Sequence, residues 1–228
     1  EAEVRARVGP MIAGLFEEKQ AALLSRALPH RVEVVTVDRF QNGLRELPLD
    51  TQWILANMLL DELGAPPVSD AAPQLDGFCH GGRAWVLPRA FDVSEEPTDI
   101  LVHEVAHLLH DLQWCDVTPR SKAAPLLSIA PRVRETWAYS CELWAWARRD
   151  APVAGSMPER IAWALDRRGL VDARVDRGRL RALLAVAAAA PAQGWATLRT
   201  ALVMADPEAA DDAPPETGRA GHSARARV

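Results

Sequence analysis

The stretch "ILVHEVAHLLHDL", residues 100–112, decides how the rest of the chain is read. Aliphatic side chains fill most of it, which predicts a helix buried on at least one face. Yet the same run holds His103, Glu104, His107, His110 and Asp111. On a helix, positions i and i+4 lie one above the other. His103 and His107 therefore present two imidazoles to one point in space, and Glu104 is displaced around the helix from them. Two core histidines with satisfied hydrogen bonds are the plain alternative. Glu104 weighs against it, because a buried charge without a partner is costly.

The pattern is H-E-x-x-H. Two imidazoles on one helical face suit two ligand positions of a tetrahedral zinc, and a carboxylate one residue on can take a proton from the metal's water. A catalytic zinc needs a third protein ligand. An extension with Gly at 110 and His at 113 would supply one, but this chain has His110 and Gln113 there. The segment "RETWAYSCE", residues 134–142, offers Glu135 and, two turns on and nearly on the same face, Glu142. Glu135 is favoured, since it comes early in its helix and has small neighbours in Ala138 and Ser140; Glu142 stays open as its rival. Asp111, one turn past His107, is a candidate to fix a histidine tautomer. Tyr139, the only tyrosine, is a candidate for stabilising an oxyanion. His80 can also reach such a cleft, and Cys79 is a remote candidate for a latent ligand.

Working outward, "MIAGLFEEKQAALLSRAL" (11–28) has helical spacing and "RVEVVTV" (31–37) alternates as a strand does. A helix is expected at about 50–63, capped by Asp50 and stopped by Gly64, Pro66 and Pro67. "DGFCHGGRAWVLP" (76–88) reads as a hairpin turning at Gly81-Gly82, with 83–88 as an edge strand to which an extended peptide can add. The active helix should run from about 97 to 114, with Ser94 or Thr98 near its cap. A loop with Pro119 and Pro125 leads to a long helix over 130–150. Further helices fill 158–204, where the many arginines read as a solvated surface. Trp137 and Trp144 share a face and read as core. The segment 206–228 has almost no large apolar residue and is expected to be disordered.

A chain of 228 residues holds one sizeable domain. We expect it over 1–205, with a sheet-containing half (1–114) and a helical half (115–205). A net charge of −5 gives no reason to expect nucleic acid. Three cysteines at no paired spacing fit a reducing compartment. No leader or membrane span is visible, although the chain begins without Met, so a cytoplasmic location is the expectation.

Taken together, HEVAH and the glutamate helix over residues 76–150 resemble the gluzincin branch of the zincin metallopeptidases. That resemblance implies a small α+β domain with a mainly antiparallel sheet, Zn2+ as cofactor and a peptide or protein as substrate. It implies His103, His107 and Glu135 as ligands and Glu104 as general base. Gluzincins of the thermolysin type carry an acid four residues after the ligand glutamate, where this chain has Tyr139. Two other readings remain. Two histidines and a carboxylate also describe the iron site of peptide-modifying non-haem oxygenases. A zincin-shaped binding or regulatory protein without activity is the third.

Overall fold

The structure, a computed structural model, describes residues 1–68, 75–92, 96–117, 131–149, 155–168 and 173–203, with side chains left aside at 111–117, 131 and 201–203. It is α+β and mostly helical, with one small mixed sheet. Helices α1 (Ala2–Leu15) and α2 (Glu18–Ala27) precede strand β1 (Val32–Val34); α3 (Val37–Glu46) and α4 (Leu49–Glu62) follow. The hairpin is β2 (Gly77–His80) and β3 (Arg83–Val86). After it come α5 (Ile100–Val117), α6 (Pro131–Arg148), α7 (Met157–Arg167), α8 (Arg177–Ala189) and α9 (Gly194–Val203).

Three expectations need correction here. The single helix expected over 11–28 starts at Ala2 and breaks at the extended Phe16. The break turns α2 back along α1, where Arg5 Nε donates to the Ser25 carbonyl at 3.3 Å. The strand over 31–37 is only three residues long, because Thr36 caps α3, its hydroxyl accepting from the Arg39 N–H. The sheet is not mainly antiparallel: its order is β1-β3-β2, with β1 and β3 parallel and β2 and β3 antiparallel. Within 83–88 the strand is Arg83–Val86, and it is central rather than an edge; β1 and the other hairpin strand, β2, form the two edges. Smaller shifts concern caps. Pro48, not Asp50, precedes α4, and Asp99 rather than Thr98 caps α5, its Oδ1 accepting from the Val102 N–H at 3.1 Å. Ser94, the loop with Pro119 and Pro125, and the tail 206–228 lie outside the described residues.

The hairpin turn itself forms as expected. Gly81 and Gly82 both have positive φ, 59° and 71°, which only glycine adopts at little cost and which a two-residue turn between right-twisted strands requires. Alternation then sorts the strands. Phe78, Trp85, Val35 and Leu87 pack with Leu55, Met58 and Leu59 of α4. Gly77, Cys79, Ala84 and Val86 lie on the other face, against α5. Every residue of α5 from Leu101 to His110 is buried, because the helix runs between the sheet, α1 and α6. Asp99, just before α5, meets Glu142 and Arg149 at the C-terminal end of α6, whereas His107, two turns into α5, meets Arg134 in the first turn of α6, so the two helices are antiparallel. Trp137 and Trp144 are buried in the larger core, as expected of packing residues. No described helix is long and apolar enough to cross a membrane.

Candidate metal centre

The antiparallel pairing of α5 with α6 sets His103 and His107 opposite Glu135. His103 Nε2 and His107 Nε2 stand 3.1 Å apart. Glu135 Oε2 is 3.6 Å from the first and 3.4 Å from the second. Among the described residues these three form the one group of donors placed to hold a metal ion. Four ligands at bonds of about 2.0–2.1 Å and tetrahedral angles stand about 3.3–3.4 Å from one another. The observed triangle has that size, and two nitrogens with one carboxylate are a donor set zinc accepts. One further atom supports the fit. Glu104 is 6% exposed, and its Oε2 is buried with no hydrogen-bond partner. A water held at the centre would be such a partner.

Glu142 serves a different end from the one considered for it. Its Oε2 lies 3.0 Å from His103 Nδ1, on the far side of the ring from the triangle. Its Oε1 accepts from the Asp99 N–H at 3.0 Å and meets Arg168 Nη2 at 3.5 Å. A carboxylate on Nδ1 fixes the tautomer that leaves Nε2 available to a metal. The seven-residue spacing from Glu135 is why both reach His103. Two turns of α6 span the imidazole, so one acid meets Nε2 and the other Nδ1.

Behind Glu142 stands a second buried acid. Asp99 holds Arg7 of α1 through Nε at 3.3 Å and Nη2 at 3.2 Å, and also meets Arg149 at the end of α6. The start of α5 is thereby tied to α1 and α6 at once. His107 Nδ1 meets Arg134 Nε at 3.1 Å, and Arg174 Nη1 stands 3.2 Å from Glu135 Oε1. Of the arginines read as solvated surface, Arg168 and Arg174 therefore meet acids of this network, as Arg149 also does.

Titration in the metal-free protein follows from these contacts. Burial works to lower the His103 pKa, but the carboxylates of Glu135 and Glu142 outweigh it and raise it to about 10. A proton on His103 takes the place a cation would fill. Burial holds His107 down at about 4, against the pull of Glu135. For Glu135 burial works upward, yet bonding to both histidines brings its carboxyl well below the usual range. Burial raises Glu104 to about 7, with His103 opposing.

The remaining candidates separate. Tyr139 is at the site: its ring stands edge-on to His103 at 4.7 Å between centroids, and Arg168 lies over its face at 5.4 Å. His80 is exposed and shares the strand face of Phe78, away from α5. Cys79 donates its thiol to the Glu104 carbonyl at 2.9 Å and is not among the three grouped donors. His110 is fully buried against Trp137, with neither ring nitrogen hydrogen-bonded. The Asp111 side chain lies outside the described residues. Sequence reasoning missed Asp99, though an Asp directly before an apolar helical run is a capping signal. It also missed Gly77, where a Cβ would come within 2.7 Å of Glu104 Cγ. Arg134, Arg168 and Arg174 carry no local signal, since only the folded chain brings them in.

Comparison with protein-family models, with curated proteins and with solved structures finds no match to this chain.

Proposed function

We propose that this protein is a zinc-dependent metallopeptidase of zincin-like architecture. The observation that carries the reading is the His103–His107–Glu135 triangle with the unpartnered carboxylate oxygen of Glu104 buried beside it. A zinc ion held there would bring the pKa of its water to about 7 and polarise a peptide carbonyl. Glu104, buried with one carboxylate oxygen unpartnered, would accept the proton of that water and hand it to the leaving amine nitrogen. Glu142 keeps His103 in the ligating tautomer. Tyr139, its ring edge-on to His103, is the candidate to offer its hydroxyl to the charge that develops on the carbonyl oxygen. On β2, ladder alternation turns the Gly77 and Cys79 main-chain groups away from β3, toward the side that no described strand occupies and where an extended peptide would add.

The test is hydrolysis of a mixed peptide library by zinc-loaded protein, followed by mass spectrometry. Cleavage by wild type, lost in Glu104→Gln while zinc stays bound and sharply slowed in Tyr139→Phe, is the expected pattern. Activity that needs iron and survives Glu104→Gln would move the reading to oxidation chemistry.

A further inference from the structure

Arg174 lies in the turn before α8, far along the chain from both helices of the centre. It takes one oxygen of Glu135, Oε1, while the other faces the two imidazoles. Its side chain is 57% exposed, whereas Arg168, which holds Glu142, is 19% exposed. Arg168 thus belongs to the framework, and Arg174 stands between the centre and solvent. Arg132, on the first turn of α6, is 63% exposed and pairs with Asp176 just before α8.

Charge decides what such a rim attracts. Two neutral imidazoles, a ligand carboxylate and a carboxylate base balance a divalent ion. Here the ligand Glu135 already has a cation of its own in Arg174. A divalent ion held there would therefore stand beside an exposed guanidinium at the solvent side of the site, although the chain as a whole carries −5. Such a site draws anions, and a guanidinium matches the planar fork of a carboxylate better than an ammonium does.

Resting on the peptidase reading, we infer that Arg174 selects substrates that carry a carboxylate beside the scissile bond. An acidic side chain and the free C-terminus of a peptide both supply that chemistry. Arg174 is then a specificity residue whose contact with Glu135 links substrate charge to the metal centre.

The test measures binding of succinate and of neutral succinamide to the zinc-saturated protein by calorimetry, in wild type, Arg174→Gln and Arg174→Lys. Succinate binding at least about ten-fold tighter in wild type is expected, with most of that preference lost in Arg174→Gln and partly kept in Arg174→Lys. An unchanged preference in Arg174→Gln overturns the inference, as does a wild type that does not distinguish the two probes. If Arg174→Gln fails to hold zinc, Arg174→Lys decides: a preference equal to wild type counts against the inference. Weaker zinc binding in the variants with no change in preference would make Arg174 a clamp on Glu135 and nothing more. Paired fluorogenic peptides separate the sources. One has an acidic residue and an amidated end, the other is neutral with a free C-terminus. Succinate preference without cleavage of any peptide would sink the peptidase reading and leave the anion site standing.

Discussion

At position 77 the absence of a side chain leaves Glu104 its present place. A Cβ there would lie 2.7 Å from Glu104 Cγ and 3.1 Å from Ile100 Cγ2, so the Glu104 side chain would have to move, and with it the base of the proposed mechanism. A misplacement of about 1 Å at a reacting group can cost about 100-fold in rate. Gly77→Ala should therefore cut turnover by about that factor while zinc content stays at the wild-type level, since neither histidine nor Glu135 is touched. Equal turnover in wild type and variant would mean that Glu104 is not the base. The five residues HEVAH were legible because their spacing alone puts two imidazoles on one face. Glu142 was visible only as an acid on the right side of its helix. Whether it meets Nε2 or Nδ1 of His103 depends on where α6 crosses α5, which no spacing along α6 fixes. Gly77 reads in the sequence as a strand residue near a turn, and its reason lies on another element.

Between elements, α5 and α6 are set by close contacts at the far side of the core. Gly194 opens α9 directly against the indole of Trp144: a Cβ there would come within 1.9 Å of Trp144 Cζ2. Trp144 is fully buried and has no room to yield. Overpacking of this kind typically costs about 1–3 kcal/mol, more than the gain of about 1 kcal/mol from replacing a helical Gly by Ala. Gly178 in α8 has only an ordinary contact, Asp176 Oδ1 at 3.5 Å from its added Cβ. Thermal denaturation should thus show opposite signs, with Gly194→Ala lowering the melting temperature and Gly178→Ala raising it. A rise in both would remove the Trp144–Gly194 contact from the packing. At this scale the sequence reads well where a signal is local. Gly81-Gly82 marks the hairpin, and apolar periodicity marks α4, α5 and α6. Element α3 escaped because Thr36 caps a short helix within a β-branched run. The parallel pairing of β1 escaped because strand order is fixed by the layers on either side, not by the strand itself.

For the molecule as a whole, one buried side chain should shape the response to acid. His110 is fully buried without a hydrogen bond, and burial first, then His107 and Arg134, hold its pKa at about 4. The unfolded chain binds that proton near pH 6.5, so between about pH 6.5 and 4 the unfolded state carries more protons and stability falls as pH falls. The full effect is about 3 kcal/mol, reached below pH 4. Urea melts of metal-free His110→Leu across this range should show a shallower loss than wild type by about that amount. Parallel curves would mean that His110 is not buried as a neutral ring. His103 acts in the opposite sense in the metal-free protein. With its pKa raised to about 10, it stabilises fully below about pH 6.5 and loses that contribution as pH rises through 10. Because zinc must displace its proton, zinc binding should tighten with rising pH. The most direct measurement is elemental analysis of purified wild type, Glu135→Ala and Glu142→Gln after dialysis against trace zinc. About one zinc per chain in wild type is expected, with none in Glu135→Ala and an affinity about 10–100-fold lower, but not abolished, in Glu142→Gln. A wild type that holds no metal even with zinc supplied, or a Glu135→Ala that keeps it, would contradict the His103–His107–Glu135 centre.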